Sequence, residues 1–288
     1  MTCPATRLRH RRPPAWWSVI ALLAVLPAIG GCRGAHSPRV AAQPGALAED
    51  VAPVEWIRVP LASGGVLRAA VARPAPGGGP YPAVLILHGS HGFAEEYVRL
   101  ARDLARSGVV AVAACWFEGG VGAGARFVKS LPCPDAPPVR PVTPAALDRI
   151  DALVVAVRAL PGVRPDRVAL FGHSRGGGAA LMYALGAGGV RALVLNSTGY
   201  PPEVVARAPE IAAPILLLHG TRDDPADGGS ALTAVDRARA FEAALRAAGK
   251  DVDATYFEGG HNELFASAAQ YDATVRRISA FLRQQLIP

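Results

Sequence analysis

The pentapeptide Gly172-His173-Ser174-Arg175-Gly176 sets a serine between two glycines in the pattern G-x-S-x-G. Three fixed positions in five recur by chance, so the pattern takes its meaning from its surroundings. It follows the strand-like run 167–171 and opens into Gly177-Gly178-Ala179-Ala180-Leu181, which reads as the start of a helix over 179–185. A nucleophile elbow needs that strand, tight turn and helix, because the turn projects the hydroxyl outward. The helix also directs its positive dipole end at the site, where negative charge would develop.

A serine hydroxyl is a weak nucleophile until a base takes its proton, and the base must itself be oriented. In the order serine, acid, histidine, only His219 and His261 follow Ser174. His219 ends the apolar run 215–218 and reads as a structural strand-end residue. His261 lies in Glu258-Gly259-Gly260-His261-Asn262, a glycine-rich loop between a strand and the closing helix, and is the expected base. The acid comes from Gly220-Thr221-Arg222-Asp223-Asp224-Pro225-Ala226-Asp227. Asp223 stands closest behind the strand end and is favoured, then Asp227, then Asp224; the others read as solvated or capping carboxylates. An oxyanion hole needs two backbone donors, one after the nucleophile and one from the loop after the third strand. Arg175 and Ser90, the latter in His88-Gly89-Ser90-His91-Gly92, are the candidates. His88 and His91 invite a metal reading, but no carboxylate or third histidine is spaced to complete such a site. The run Gly119-Gly120-Val121-Gly122-Ala123-Gly124 lacks G-x-G-x-x-G spacing and a following helix, which argues against a dinucleotide cofactor. No cofactor is expected.

These residues must be positioned by alternating strands and helices, which argues for an α/β fold. Strands are expected at 54–59 and 66–71 as an opening antiparallel pair, then at 83–87, 109–114, 167–171, 192–195, 215–218 and 252–257. Helices are expected at 95–106, 144–160, 179–185, 233–248 and 267–286. The whole is one domain over 53–288, an about eight-stranded, mostly parallel sheet with helices on both faces. The Gly- and Pro-rich stretch 117–144 has no clear period; long irregular loops in compact domains are commonly lids or binding loops. It follows a central strand, so it belongs at the mouth of a site on the sheet's carboxyl edge.

The 288 residues are 51% hydrophobic and 18% charged, which excludes a disordered chain. The net charge of +7 does not indicate a nucleic-acid partner. Arg7, Arg9, Arg11 and Arg12 precede an apolar run over 15–29 and the small residues Gly30 and Gly31, the layout of a secretory signal over 1–31. The run is short for a membrane span. Removing four arginines and no acids lowers +7 to +3. Ile29-Gly30-Gly31-Cys32 resembles the bacterial lipobox, which implies lipidation at Cys32, a membrane anchor in the cell envelope, and a flexible spacer over 32–52. The domain then retains Cys115 and Cys133, a pair expected to bridge in an oxidising compartment, against the alternative of two unrelated thiols.

From about residue 53 to the end the chain resembles an α/β-hydrolase of the dienelactone hydrolase-like, serine esterase branch. The resemblance rests on His88-Gly89, Gly-His-Ser-Arg-Gly at 172–176, Gly-Thr-Arg-Asp at 220–223 and Gly-Gly-His at 259–261. Dienelactone hydrolases use a cysteine nucleophile where this chain has Ser174. After the acid the family often has Val-Pro where this chain has Ala226-Asp227. The resemblance implies a serine hydrolase of carboxylic esters acting on a small molecule through an acyl-enzyme. The alternatives are a prolyl-oligopeptidase-type peptidase, a thioesterase or acyltransferase, and a non-catalytic lipoprotein that keeps the fold as a binding module.

Overall fold

A computed structural model describes residues 53–118, 128–133, 136, 143–186 and 189–287. The segments expected as signal and spacer, with Cys32, lie outside the described residues, as do 119–127 and 137–142 of the Gly- and Pro-rich stretch. No helix among the described residues is long and apolar enough to cross a membrane.

Eight strands form one sheet: Glu55–Pro60 (β1), Val66–Ala72 (β2), Tyr81–Leu87 (β3), Val110–Cys115 (β4), Val163–His173 (β5), Leu193–Asn196 (β6), Ile215–Gly220 (β7) and Val252–Phe257 (β8). Their order is β1-β2-β4-β3-β5-β6-β7-β8. The β1–β2 and β2–β4 pairings are antiparallel; every pairing from β4 to β8 is parallel. Strands buried on both faces need no polar alternation. All six residues of β4, Val-Ala-Val-Ala-Ala-Cys, are accordingly buried.

The helices are Glu95–Ala105 (α1), Pro144–Arg158 (α2), Arg175–Gly186 (α3), the one-turn Pro202–Val205 (α4), Val235–Ala247 (α5), the one-turn Glu263–Ala266 (α6) and Ala268–Leu286 (α7). From β3 the chain passes through α1 to β4, toward the β1 edge; from β5 it passes through α3 to β6, toward the β8 edge. Right-handed crossovers in opposite directions put their helices on opposite faces. In agreement, α1 packs with α7 and α2 with α3. The reversal opens a crevice at the carboxyl ends of β3 and β5, where ligands bind in open α/β sheets.

Several element boundaries differ from the sequence expectation. β5 extends beyond 167–171 at both ends, and Gly172 and His173 pair with Leu195 and Asn196 of β6. α3 starts at Arg175 rather than 179 because packing outweighs the poor helix propensity of Gly176, Gly177 and Gly178. A side chain at Gly176 would collide with the Leu87 and His88 carbonyls. The closing helix is split: Ser267 takes an extended backbone and its hydroxyl caps α7 by accepting from the Gln270 N–H, leaving α6 as a separate turn. α4 and a 3-10 turn at Ala208–Glu210 are too short to show a hydrophobic period and were not expected.

Candidate active site

The turn between β5 and α3 holds Ser174 at φ +54°, in the left-handed region that a residue with a side chain seldom occupies. The strain is held by backbone bonds on both sides: the Ser174 N–H donates to the Asn196 carbonyl (2.9 Å), and its carbonyl accepts from the Gly178 N–H (3.1 Å). Left-handed geometry here turns the hydroxyl out of the strand–helix joint and toward the loop after β8.

That loop delivers His261. Its Nε2 lies 2.9 Å from Ser174 Oγ and its Nδ1 lies 2.8 Å from Asp223 Oδ2. A carboxylate only accepts, so Nδ1 carries the proton and Nε2 accepts from the serine hydroxyl. Asp223 is 1% exposed. Burial pushes its carboxyl pKa up, but hydrogen bonds from His219 and His261 outweigh it and hold the value at about 2. The acid is therefore a carboxylate throughout the neutral range.

Three contacts fix the acid and histidine loops to each other. The Thr221 N–H donates to the Phe257 carbonyl (2.8 Å) and the Arg222 N–H to the Gly259 carbonyl (2.9 Å). Gly220 lies flat on the backbone of Gly259 and Gly260, leaving no space for a side chain. The other two aspartates do not reach the histidine. Asp224 Oδ1 accepts from the Ala226 and Asp227 N–H groups, and Asp227 pairs with Arg222 (3.5 Å).

His219, expected to be structural, touches the acid. Its Nε2 lies 2.6 Å from the Thr233 carbonyl and 3.2 Å from Asp223 Oδ2. Nδ1 is buried without a hydrogen-bond partner. Both oxygens can only accept, so Nε2 carries the proton they share. His173, only the variable position of the motif, is fully buried between Asn196 and Asn262. Sequence reasoning gave His219 a structural place at a strand end and assigned no role to His173. The available signal was a polar residue at the carboxyl end of an otherwise apolar buried strand, which His173, Asn196 and His219 all share.

Across the turn, the loop after β3 brings Gly89 against Ser174: a side chain at 89 would come 3.3 Å from Ser174 Cβ. The Gly89 N–H donates to Tyr97 Oη (3.0 Å), and the Tyr97 hydroxyl then donates to His91 Nε2 (2.8 Å). His88 is a buried pin, donating from Nδ1 to the Gly89 carbonyl (3.0 Å) while its carbonyl accepts from the Trp116 indole (3.0 Å). Burial lowers His88 to about 3, and burial with the nearby His261 lowers His91 to about 4, so both rings are neutral. Ser90 is exposed at the mouth of this loop; Arg175 opens α3, its guanidinium 5.6 Å from the Phe117 ring centre. Among the described residues no three His, Cys, Asp or Glu side chains group as a metal site.

Cys115 and Cys133 are joined as a disulfide, with Cα atoms 6.1 Å apart. It ties segment 128–133 to the end of β4. The same segment pairs with the chain after β3 through the Leu131 N–H to Phe93 carbonyl and Glu95 N–H to Lys129 carbonyl bonds, both 2.9 Å. His91, Phe93, Glu118, Leu131 and Pro132 line the cavity of about 330 Å³ thus enclosed. A larger groove of about 610 Å³ between α1 and α7 is lined mostly by charged residues, and the linings of both include none of Ser174, Asp223 and His261.

The doubly wound sheet, the strained serine between β5 and α3, and an acid and a histidine from the loops after β7 and β8 define an α/β-hydrolase. Residues 67–279 match the dienelactone hydrolase family, and the chain belongs to that family. It is a hydrolase. No curated protein matches it in sequence. Among solved structures it is similar to a protein of Klebsiella pneumoniae subsp. pneumoniae described as a dienelactone hydrolase (TM-score 0.63, 22% identity, covering 80% of this chain and 99% of that one). It is also similar to the carboxylesterase EstE1 from a metagenomic library (TM-score 0.60, 20% identity, 83% and 90% covered). A third is P91 from metagenomic libraries, described as a dienelactone hydrolase-like promiscuous phosphotriesterase (TM-score 0.61, 19% identity, 81% and 99% covered). At these identities the likenesses establish the fold.

Proposed function

We propose that the protein is a serine esterase that hydrolyses small carboxylic esters through an acyl-enzyme. The observation that carries this reading is the continuous line Ser174 Oγ, His261 Nε2, His261 Nδ1, Asp223 Oδ2, with hydrogen bonds of 2.9 and 2.8 Å. Ser174 Oγ attacks the ester carbonyl as its proton passes to His261 Nε2, and Asp223 holds the imidazole in the receiving tautomer and stabilises the imidazolium. The oxyanion takes hydrogen bonds from the Ser90 and Arg175 backbone N–H groups. His261 gives its proton to the departing alcohol. Water then attacks the acyl-enzyme with His261 again as base, releasing the acid and restoring Ser174. No cofactor takes part in these steps.

The reading also includes export and lipidation at Cys32. The disulfide supports it, since such bridges persist in oxidising compartments. Loss of palmitate incorporation in Cys32→Ala, with incorporation in the wild type, is the expected result.

The central test uses short-chain p-nitrophenyl esters with the protein and with Ser174→Ala. Hydrolysis by the wild type and a loss of at least about 10⁴-fold in the variant are expected. A folded wild-type protein that neither hydrolyses these esters nor reacts at Ser174 with a fluorophosphonate would overturn the esterase reading and favour a binding module.

A further inference from the structure

The imidazole of His173 is fully buried, one residue before the nucleophile, and touches three separately folded pieces of the site. Its Nδ1 lies 2.7 Å from Asn196 Nδ2, and its Nε2 lies 3.2 Å from Asn262 Oδ1. The Asn196 amide nitrogen can only donate, so Nδ1 accepts; Nε2 then carries the proton and donates to Asn262. Both ring nitrogens are satisfied by a neutral imidazole. Burial and the neighbouring His261 and His91 hold His173 well below the ordinary histidine pKa, which keeps that single tautomer.

The two partners connect elements distant in the chain. Asn196 ends β6, and its carbonyl also accepts from the Ser174 N–H, so one residue anchors both the elbow backbone and the His173 ring. Asn262 follows His261 directly. The His173 ring lies 5.3 Å from the His261 ring and 5.4 Å from Phe265. On its third side a side chain at Gly89 would come within 2.9 Å of His173 Cδ2, so the β3 loop rests directly on the ring.

From this geometry we infer that His173 is a positioning residue: with Asn196 and Asn262 it forms a latch that sets the histidine loop against the nucleophile elbow. The loop carrying His261 is rich in glycine, with Gly259 at φ +145° and Gly260 beside it, and such backbone does not hold a fixed path unaided. The backbone bonds from Thr221 and Arg222, just after β7, fix the loop's start at 257–259. The His173–Asn262 bond fixes it after the histidine, so His261 is held from both sides. The inference rests on the proposed role of Ser174 and His261.

The test is a double-mutant cycle in ester hydrolysis with His173→Leu, Asn262→Ala, the pair together, and His173→Gln. Glutamine can place its amide N–H near Nε2 of the histidine and so retain the donor to Asn262. A misplacement of about 1 Å can cost roughly 100-fold in rate. His173→Leu and Asn262→Ala are expected to lower kcat by about 10- to 100-fold with KM little changed, the pair to lose no more than the worse single variant, and His173→Gln to recover most of the rate. Independent losses that multiply in the pair, equal losses in the Gln and Leu variants, or wild-type kcat in Asn262→Ala would each overturn the latch. Should His173→Leu fail to fold, Asn262→Ala and His173→Gln decide the matter through kcat alone. Inactivity of the wild type would instead strike the esterase reading, which separates the two failures.

Discussion

On the β7–β8 side of the site, short loops carry the acid and the histidine and are joined by backbone hydrogen bonds, a flat Gly220 contact and a shared carboxylate. On the β3–β4 side, segment 128–133 reaches the site from a long Gly- and Pro-rich stretch and is held by one disulfide and a short backbone pairing. The first arrangement keeps His261 within hydrogen-bond distance of both partners, 2.9 Å from Ser174 Oγ and 2.8 Å from Asp223 Oδ2. The second borders a cavity of about 330 Å³ lined by His91, Phe93, Leu131 and Pro132.

The strongest blow to the rigid wall is Asp223→Asn, which leaves the shape but removes the charge that selects the His261 tautomer. A fall of about 10⁴-fold in kcat is expected. Asp224→Asn and Asp227→Asn, made on the same loop, should stay within about threefold of the wild type, as for ordinary surface changes. Equal losses at all three positions would remove the assignment of Asp223.

The second blow falls on the other wall. Replacing both Cys115 and Cys133 by serine is expected to cost about 3 kcal/mol of stability in urea denaturation. KM should rise with kcat largely kept, because the relay lies on the opposite wall. A loss confined to kcat would show that the two walls are not independent.

A finer comparison concerns His219. Its N–H is shared between the Thr233 carbonyl and Asp223, so His219→Leu leaves the acid with one fewer donor. A decrease of about tenfold in kcat/KM is expected, in line with about 1–3 kcal/mol for an unpaired buried polar group. His219→Gln, which keeps an N–H near that position, should lose less.

The last comparison is a pH dependence of stability. His88 at about 3, His91 at about 4 and His173, also depressed by burial, are neutral in the fold, whereas an unfolded chain protonates them below about pH 6.5. The unfolded state then binds more protons, so stability should fall as pH drops from about 6.5 toward 4, by up to about 1.4 kcal/mol per pH unit for each histidine. Asp223 acts at the acid end. Its stabilising contribution is present above its ordinary carboxyl range and is lost as pH falls toward 2. Denaturation midpoints from pH 8 to 4 that do not move would contradict neutral burial of the three rings.

The amino-acid sequence by itself determined the α/β alternation, because buried parallel strands need continuous apolar runs and the helices between them need an apolar stripe. It also marked Ser174, His261 and the Asp223 loop as candidates, since a tight elbow demands glycine at fixed spacing and the chain leaves few histidines after it. It did not reveal that α3 starts at Arg175, that β5 runs through His173, or that Ser267 splits the closing helix. Those boundaries are set by packing and capping rather than by period. The sequence favoured Asp223 from its place just behind the strand end, and the tertiary structure puts that residue, rather than Asp224 or Asp227, 2.8 Å from His261 Nδ1, because only the folded loop sets which carboxylate faces the ring. The tertiary structure also decided the roles of His173, Asn196, His219 and Asn262. Each is an unremarkable polar residue in sequence and becomes a hydrogen-bond partner only when strands and loops distant in the chain are laid edge to edge, where a buried polar group must find one.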